Sequence, residues 1–109
     1  KQIENHILLM LKLNGIFCWK NDSVGIFDPV RKIFRKNKGI HKIKGVSDIL
    51  GILPNGRFLA IEVKTKKGRL TTEQNSFIMN IYANKGLSLK ATCWEDVKKY
   101  LEDNEFETR

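Results

Sequence analysis

The sequence has little cysteine, histidine or proline, with two residues of each in a chain of 109. Cys18 and Cys93 lie far from both histidines, which excludes a structural zinc site. No run of about 18 apolar residues occurs, which excludes a membrane-spanning helix. The first six residues lack the apolar core of a signal peptide, so we expect reduced thiols and a cytosolic protein. Because the chain begins at Lys1 rather than Met, we also expect a trimmed N-terminus.

Acidic residues are scarce as well, and they are unevenly distributed. Twelve Asp and Glu stand against twenty Lys and Arg, for a net charge of +8. Residues 1–90 hold 17 basic and 6 acidic side chains, whereas residues 91–109 hold 3 and 6. The segment 31–44 has seven basic residues and no acid. Such a basic block favours the binding of a polyanion, and nucleic acid is the polyanion expected by default. A membrane surface is a less favoured partner because no amphipathic helical pattern accompanies the charge. A basic surface that is solvated and binds no polyanion would have the same composition.

Hydrophobic periodicity predicts an α/β fold in which helices flank a mixed β-sheet. Capping-box patterns, Thr71 with Gln74 and Thr92 with Glu95, predict where the last two helices begin. The β-α-β order from 57 to 91 predicts a parallel strand pair. We expect one domain over residues 1–109, with an acidic, frayed tail from about residue 102. The predicted helices are 2–14, 71–85 and 92–101, the strands are 16–19, 24–27, 33–34, 46–53, 57–64 and 87–91, and residues 36–45 are a loop.

Three charged residues interrupt the apolar pattern of the central hairpin. Asp48 lies in its first strand, and Glu62 and Lys64 lie at the end of its second. Residues i and i+2 of a strand share a face, and the turn at 54–56 can bring Asp48 beside Glu62. Two converging carboxylates need a proton or a cation between them. Oxygen ligands suit Mg²⁺ or Mn²⁺, and Lys64 can stabilise an attacking hydroxide or the transition-state charge. An ion-paired cluster at the strand end is the alternative.

At this point the sequence resembles a known family. Asp48 followed by Glu62-Val63-Lys64 resembles the motif of the PD-(D/E)XK nuclease superfamily. The segments 45–51, 56–64 and 68–74 together resemble the VRR-NUC domain, the virus-type replication-repair nuclease. The resemblance implies a restriction-endonuclease-like mixed β-sheet flanked by α-helices. One departure is Ser47, which stands where the family usually has proline.

The resemblance also implies a role for individual residues. Lys64 would be the catalytic lysine, Gln74 an active-site glutamine, and Glu4 an acidic residue near the metal. From the residues alone, Glu4 could instead be a first-turn acid favoured by the helix dipole, and Gln74 could serve only the helix cap. The implied ligands of Mg²⁺ or Mn²⁺ are Asp48, Glu62, the Val63 main-chain carbonyl and Glu4.

The implied function is metal-dependent DNA endonuclease activity, structure-selective for branched DNA such as four-way (Holliday) junctions. The resemblance implies a role in DNA repair in a phage or its bacterial host, and therefore a cytoplasmic location. It also implies a homodimer, since paired nicks need two active sites related by two-fold symmetry. Helix 1 or the strand Ile16–Trp19 is the candidate dimer interface. Trp19 and Trp94 are expected in the core. The predicted DNA contacts are Asn21, Ser23, Lys42, Lys44, Ser47, Lys66, Lys67 and Arg69.

Three alternatives stay open at this point. The protein could be a monomeric nuclease acting on flaps or duplex ends. It could be a nucleic-acid-binding module without activity, which would explain the charge but not the Asp48, Glu62 and Lys64 arrangement. It could also be a degenerate nuclease fold with a structural role, although the complete triad argues against this.

Overall fold

The computed structural model describes residues 2–22, 26–28, 33–35 and 42–109, with side chains described in 2–22 and 42–109. Ser23 and most of the predicted 36–45 loop lie outside these residues. The predicted order of helices and strands is confirmed. The elements are α1 (Gln2–Leu13), β1 (Phe17–Lys20), β2 (Ile26–Asp28), β3 (Ile33–Arg35), β4 (Ile49–Ile52), β5 (Phe58–Val63), α2 (Thr72–Ala83), β6 (Leu87–Ala91) and α3 (Trp94–Asp103).

The described strands form a mixed sheet of order β1-β4-β5-β6 and a separate β2-β3 ribbon. β4 pairs antiparallel with both β1 and β5, while β5 and β6 are parallel, as the β-α-β pattern predicts. The sheet with its flanking helices confirms the α/β class and is consistent with a restriction-endonuclease-like arrangement. Within the described residues, no helix is long and apolar enough to cross a membrane.

Helices cover both faces of the sheet, and the alternation of side chains along β5 shows it. Leu59 and Ile61 point towards α1 and α3, where Ile7, Leu11 and Leu101 complete the main core. Ala60, the residue between them, points towards α2 and packs in a second cluster with Leu50 and Phe77. A strand covered on both sides has to be apolar at nearly every position, and β5 is. A charged residue in β5 therefore occupies a position where burial is costly.

The segment before β4 differs from the predicted strand 46–53. β4 begins at Ile49, so Asp48 is the residue just before the strand. The reason is Gly45, which has a φ of +75° and lies against the first turn of α2, where an added Cβ would be 2.3 Å from the Glu73 carbonyl carbon. The chain thus packs on the helix before it enters the sheet.

The predicted N-cap of α3, Thr92, is wrong by one residue. Cys93 occupies the N-cap position without a side-chain hydrogen bond. Asp96, rather than Glu95, partners Thr92: its Oδ2 accepts from the Thr92 N–H and the Thr92 hydroxyl, both at 2.8 Å.

The prediction of a frayed tail is also wrong. Phe106 packs against the main core, and its N–H donates to the Leu101 carbonyl at 2.9 Å. The Arg109 N–H donates to Asn14 Oδ1 at 2.6 Å. The acidic residues of the tail are carried on a segment that these contacts attach to the domain.

Candidate active site

The sheet register places the two predicted carboxylates opposite each other. Ile49 pairs with Ile61 across β4 and β5, so the next residues outward, Asp48 and Glu62, face each other at the end of the hairpin. Asp48 Oδ2 accepts a hydrogen bond from the Val63 N–H at 2.9 Å. Glu62 is 3% exposed. The structure thus brings together two acidic groups that are separated by one hairpin in the sequence.

The proximity of the two carboxylates changes the acidity of Glu62. Burial and the neighbouring carboxyl group of Asp48 raise the pKa of Glu62 from its ordinary 4.5 to about 7. The positive charge of Lys64 opposes this shift, and the charge of Glu4 adds to it. Since the ionised pair is unfavourable by itself, the site favours a proton or a cation between the two groups.

Lys64 and Gln74 both contact one oxygen of Glu62. Glu62 Oε2 lies 3.8 Å from Lys64 Nζ and accepts a hydrogen bond from Gln74 Nε2 at 3.2 Å. The amide of Gln74 is itself held by the cap of α2, because Gln74 Oε1 accepts from the Thr71 N–H at 2.9 Å while Thr71 Oγ1 accepts from the Gln74 N–H at 3.1 Å. The predicted capping box is confirmed, and the same side chain reaches the candidate site.

The other oxygen of Glu62 is unsatisfied. Glu62 Oε1 is buried and has no hydrogen-bond partner in the described part of the chain. Buried polar atoms of native proteins are nearly always satisfied, so this oxygen, on the residue that faces Asp48, fits a hard cation such as Mg²⁺ or Mn²⁺, which binds few carboxylates and keeps several waters. Among residues 2–22 and 42–109, no three acidic, histidine or cysteine side chains form a metal-binding group, so water or main-chain oxygen would have to complete the coordination.

Glu4 lies in the first turn of α1, as the helix-dipole alternative requires, but it is buried. It is 8% exposed and shares the buried face of α1 with Ile7 and Leu11. Lys20 Nζ, at the end of β1, lies 3.0 Å from Glu4 Oε1. Sequence reasoning missed Lys20, although its place at the end of a strand that follows α1 was a usable signal. Because the charge of Glu4 raises the pKa of Glu62, Glu4 acts electrostatically on the candidate site.

A comparison with protein families agrees with this geometry. Residues 26–91, more than half of the chain, match the family model of the VRR-NUC domain. The chain belongs to the VRR-NUC family. Comparisons with curated proteins and with solved structures gave no significant match. The VRR-NUC match covers Asp48, Glu62, Lys64 and Gln74, and it identifies a nuclease-type domain, which implies a nucleic-acid substrate.

The basic residues predicted to contact DNA precede β4 and follow β5 in the sequence. The two in the segment before β4 and the three in the turn after β5 are all exposed; they are Lys42, Lys44, Lys66, Lys67 and Arg69. Asn21 lies beside the site, because its backbone N–H donates to the Asp48 carbonyl at 2.8 Å. Ser23 lies outside the described residues.

Ser47 does not lie on the surface of the VRR-NUC domain. It is fully buried, and its hydroxyl has no partner in the described part of the chain. A buried hydroxyl cannot reach a phosphate, so its placement argues against the predicted DNA contact. The cause is the close packing of the 42–47 segment on α2.

The two tryptophans have different environments. Trp94, at 5% exposed, lies in the core as predicted. The prediction for Trp19 is wrong: it is 38% exposed on β1, beside Phe17 at 69%. β1 is an edge strand of the four-stranded sheet in the described structure, and an edge strand is less completely covered by neighbouring elements.

Proposed function

We propose that this VRR-NUC domain is a Mg²⁺- or Mn²⁺-dependent DNA endonuclease that hydrolyses phosphodiester bonds. The observation that supports it best is the buried, unpartnered Glu62 Oε1 opposite Asp48, with Lys64 near the other oxygen. An ordinary ion-paired cluster would use the lysine to neutralise the carboxylates. Here Lys64 lies near only one oxygen of Glu62, and the pKa of Glu62 is still raised to about 7, so the pair favours a further proton or a cation.

Each residue then has a distinct task. Asp48, Glu62 and the Val63 main-chain carbonyl would hold the ion, which when bound supplies Lewis-acid polarisation of the phosphate and a water of lowered pKa. Gln74 and Lys64 fix Glu62 Oε2, so that Oε1 keeps one orientation. The Lys64 ammonium offsets negative charge that develops on the phosphate in the transition state. Glu4 contributes negative charge near the ion.

The substrate proposed is branched DNA such as a four-way junction. The exposed basic residues before β4 and after β5 would contact neighbouring phosphates, which position a duplex without reading its sequence. A homodimer would supply two active sites related by a two-fold axis, as symmetric nicking requires. The rival proposals are a monomer that cuts flaps or duplex ends, and a binding module without activity.

A cleavage assay separates these proposals. The chain is incubated with a four-way junction, a flap and a linear duplex, each with Mg²⁺, Mn²⁺ or EDTA. We expect metal-dependent cutting, strongest on the junction, and none with Lys64→Ala or Asp48→Asn. Lys99→Ala, which removes an exposed lysine of α3, is the matched control and should cut normally.

The other outcomes are equally informative. Unchanged cutting by correctly folded Lys64→Ala and Asp48→Asn would show that the proposed mechanism is wrong. Cutting confined to flaps or ends would favour the monomeric nuclease, and binding without cutting would favour the module. A solution mass measurement distinguishes the monomer from the homodimer.

A further inference from the structure

Two exposed aromatic rings lie next to each other on the edge strand β1. The ring centroids of Phe17 and Trp19 are 5.4 Å apart, with the ring planes tilted by 51°. Their exposed fractions are 69% and 38%. Large aromatic side chains are normally buried when a core can take them. These two are presented together at the surface, and we call them the aromatic pair.

The aromatic pair is on the face of the sheet that carries the candidate active site. Phe17 pairs with Ile52 and Trp19 with Leu50 across the β1–β4 register, and directly opposite residues share a face. Leu50 packs with Ala60 of β5 in the cluster under α2. Ala60 and Glu62 share that face, two residues apart on the same strand. Among the described elements, α2 packs on β5 and β6, and at β1 the side chains of Phe17 and Trp19 on this face are exposed.

The strand that carries the aromatic pair leads towards Asp48, one of the candidate metal ligands. Two residues beyond Trp19, the Asn21 N–H donates to the Asp48 carbonyl at 2.8 Å. From the rise of a strand, Trp19 and Phe17 lie roughly 7 and 14 Å from Asn21 along β1. A nucleic-acid strand whose phosphate occupies the Asp48–Glu62 site would therefore place its next nucleotides near the two rings.

We propose that the aromatic pair stacks unpaired nucleobases adjacent to the scissile phosphate. The proposal rests on the proposed function, since it places the reacting phosphate at Asp48 and Glu62. Every base has a π face, so stacking on aromatic side chains accepts any sequence. Residues 1–90, which include β1, carry 17 basic and 6 acidic side chains, a charge that complements a polyanion. Unpaired bases occur in single-stranded flaps and where the base pairs at a branch point open, and stacking would select such a structure over uninterrupted duplex.

A second copy of the chain is a poorer occupant of this surface. With aromatic side chains of about 150–250 Å² each, the exposed parts of Phe17 and Trp19, with neighbouring Ile52 at 39% exposed, provide on the order of 300 Å². A standard protein interface needs roughly 800 Å² from each partner. The aromatic pair is large enough for one or two bases but does not form a dimer interface by itself.

The test is binding of a fluorescein-labelled, twelve-nucleotide oligo(dT) in EDTA, so that the result is independent of metal and of cleavage. Anisotropy gives the affinity. We expect roughly tenfold weaker binding for Trp19→Ala and for Phe17→Ala, since stacking is worth this much per base, and near-normal binding for Trp19→Phe, which keeps a ring. Tyr82→Ala removes an exposed aromatic of α2 and is the matched control. Phe17→Ala is the variant least able to disturb the core, because Phe17 is 69% exposed.

A second readout locates the contact. The unlabelled oligonucleotide should quench wild-type tryptophan emission and leave the emission of Trp19→Phe nearly unchanged, because Trp94 is buried. Unchanged affinity of Trp19→Ala and Phe17→Ala would overturn the proposal. If the solution mass of these variants also fell while DNA binding stayed normal, the surface would be assigned to self-association. Stacking without metal-dependent cleavage by the wild type would support the aromatic pair as a base-binding surface, while the proposed function, and with it the placement beside a scissile phosphate, would fail.

Discussion

The side-chain amide of Gln74 connects the cap of α2 to Glu62. Its oxygen accepts from the Thr71 N–H at 2.9 Å, and its nitrogen donates to Glu62 Oε2 at 3.2 Å. The cap therefore fixes which end of the amide faces the carboxylate, and the two roles that the sequence leaves open for this residue are both present. Helix formation and the orientation of a candidate metal ligand depend on the same side chain.

Two substitutions can separate these roles. Thr71→Ala removes the hydroxyl that accepts the Gln74 N–H, and Gln74→Ala removes the reciprocal bond and the Glu62 contact. We expect each to lower the free energy of unfolding by about 1 kcal/mol, the usual value of an N-terminal cap. Only Gln74→Ala should also reduce cleavage, by roughly 10–100-fold, as for other residues that orient metal ligands. Equal cleavage by the two variants in single-turnover assays would contradict a site role for Gln74.

The raised pKa of Glu62 predicts that the metal-free protein loses stability as the pH rises. In the folded chain the pKa is about 7, above the ordinary 4.5, so folding favours the protonated form. The stabilising contribution is complete below about pH 4.5 and is lost as the pH passes through 7. We expect a decrease on the order of 2 kcal/mol in urea unfolding between pH 5 and 8. Glu62→Gln should remove this decrease, and an unchanged pH slope in that variant would contradict the assignment.

Added Mg²⁺ should reverse this trend. A metal ion binds the ionised carboxylates, so its binding competes with the proton on Glu62. The rise in melting temperature caused by Mg²⁺ should therefore be larger at pH 8 than at pH 6. Glu62→Gln, in which the competing proton is absent, should show a small rise at both values. Differential scanning fluorimetry measures both effects.

Much of this site follows from the sequence because its main parts are local. Glu62 lies in β5 and Lys64 is the first residue after it, and a short hairpin connects them to Asp48 just before β4, so the geometry of the two strands brings the three together. The Thr71–Gln74 cap lies within one helical turn. Contacts of this kind depend on few residues, and residue type and spacing are enough to predict them.

The features that the sequence does not predict depend on packing between distant segments. Ser47 is buried because Gly45 lets the chain pack on α2. The tail is held because Arg109 meets Asn14, a contact between the two ends of the chain. Trp19 is exposed because β1 lies at the sheet edge while α2 covers β5 and β6. No local pattern specifies any of these contacts.

Asp48 also has a structural role that one pair of substitutions should reveal. Its Oδ2 accepts the Val63 N–H at 2.9 Å, so Asp48→Ala leaves that donor unsatisfied and should cost about 1–3 kcal/mol. Asp48→Asn keeps an oxygen at this position and removes the charge that raises the pKa of Glu62. We expect Asp48→Asn to be more stable than Asp48→Ala in urea unfolding at pH 8, and we expect neither variant to cleave DNA. Equal stability would show that the Val63 contact contributes little.

Salt should weaken binding of duplex DNA in proportion to the number of phosphates contacted. Each neutralised phosphate adds about −0.9 to the slope of log affinity against log salt concentration. Lys66→Ala, in the exposed turn after β5, should therefore reduce the slope by about 0.9 if it contacts one phosphate. Lys99→Ala, on α3, should leave the slope unchanged. If Lys66→Ala had the same salt-dependence slope as the wild type, Lys66 and this turn would not be part of the DNA-binding surface.

Gly45 and Gly56 allow the packing of the 42–47 segment to be tested directly. Both have positive φ, +75° and +89°, so alanine at either position adds roughly 1–2 kcal/mol of backbone strain. At Gly45 the new Cβ would also meet the backbone of Glu73 and Gln74 at 2.3–2.6 Å, whereas at Gly56 no described atom lies within 4 Å. Gly45→Ala should thus cost about 1–3 kcal/mol more than Gly56→Ala. Because it displaces Gln74 from Glu62, it should also reduce cleavage, whereas Gly56→Ala should not. Unfolding curves and cleavage rates measured on both variants test this, and equal effects of the two substitutions would mean that the segment does not position the site.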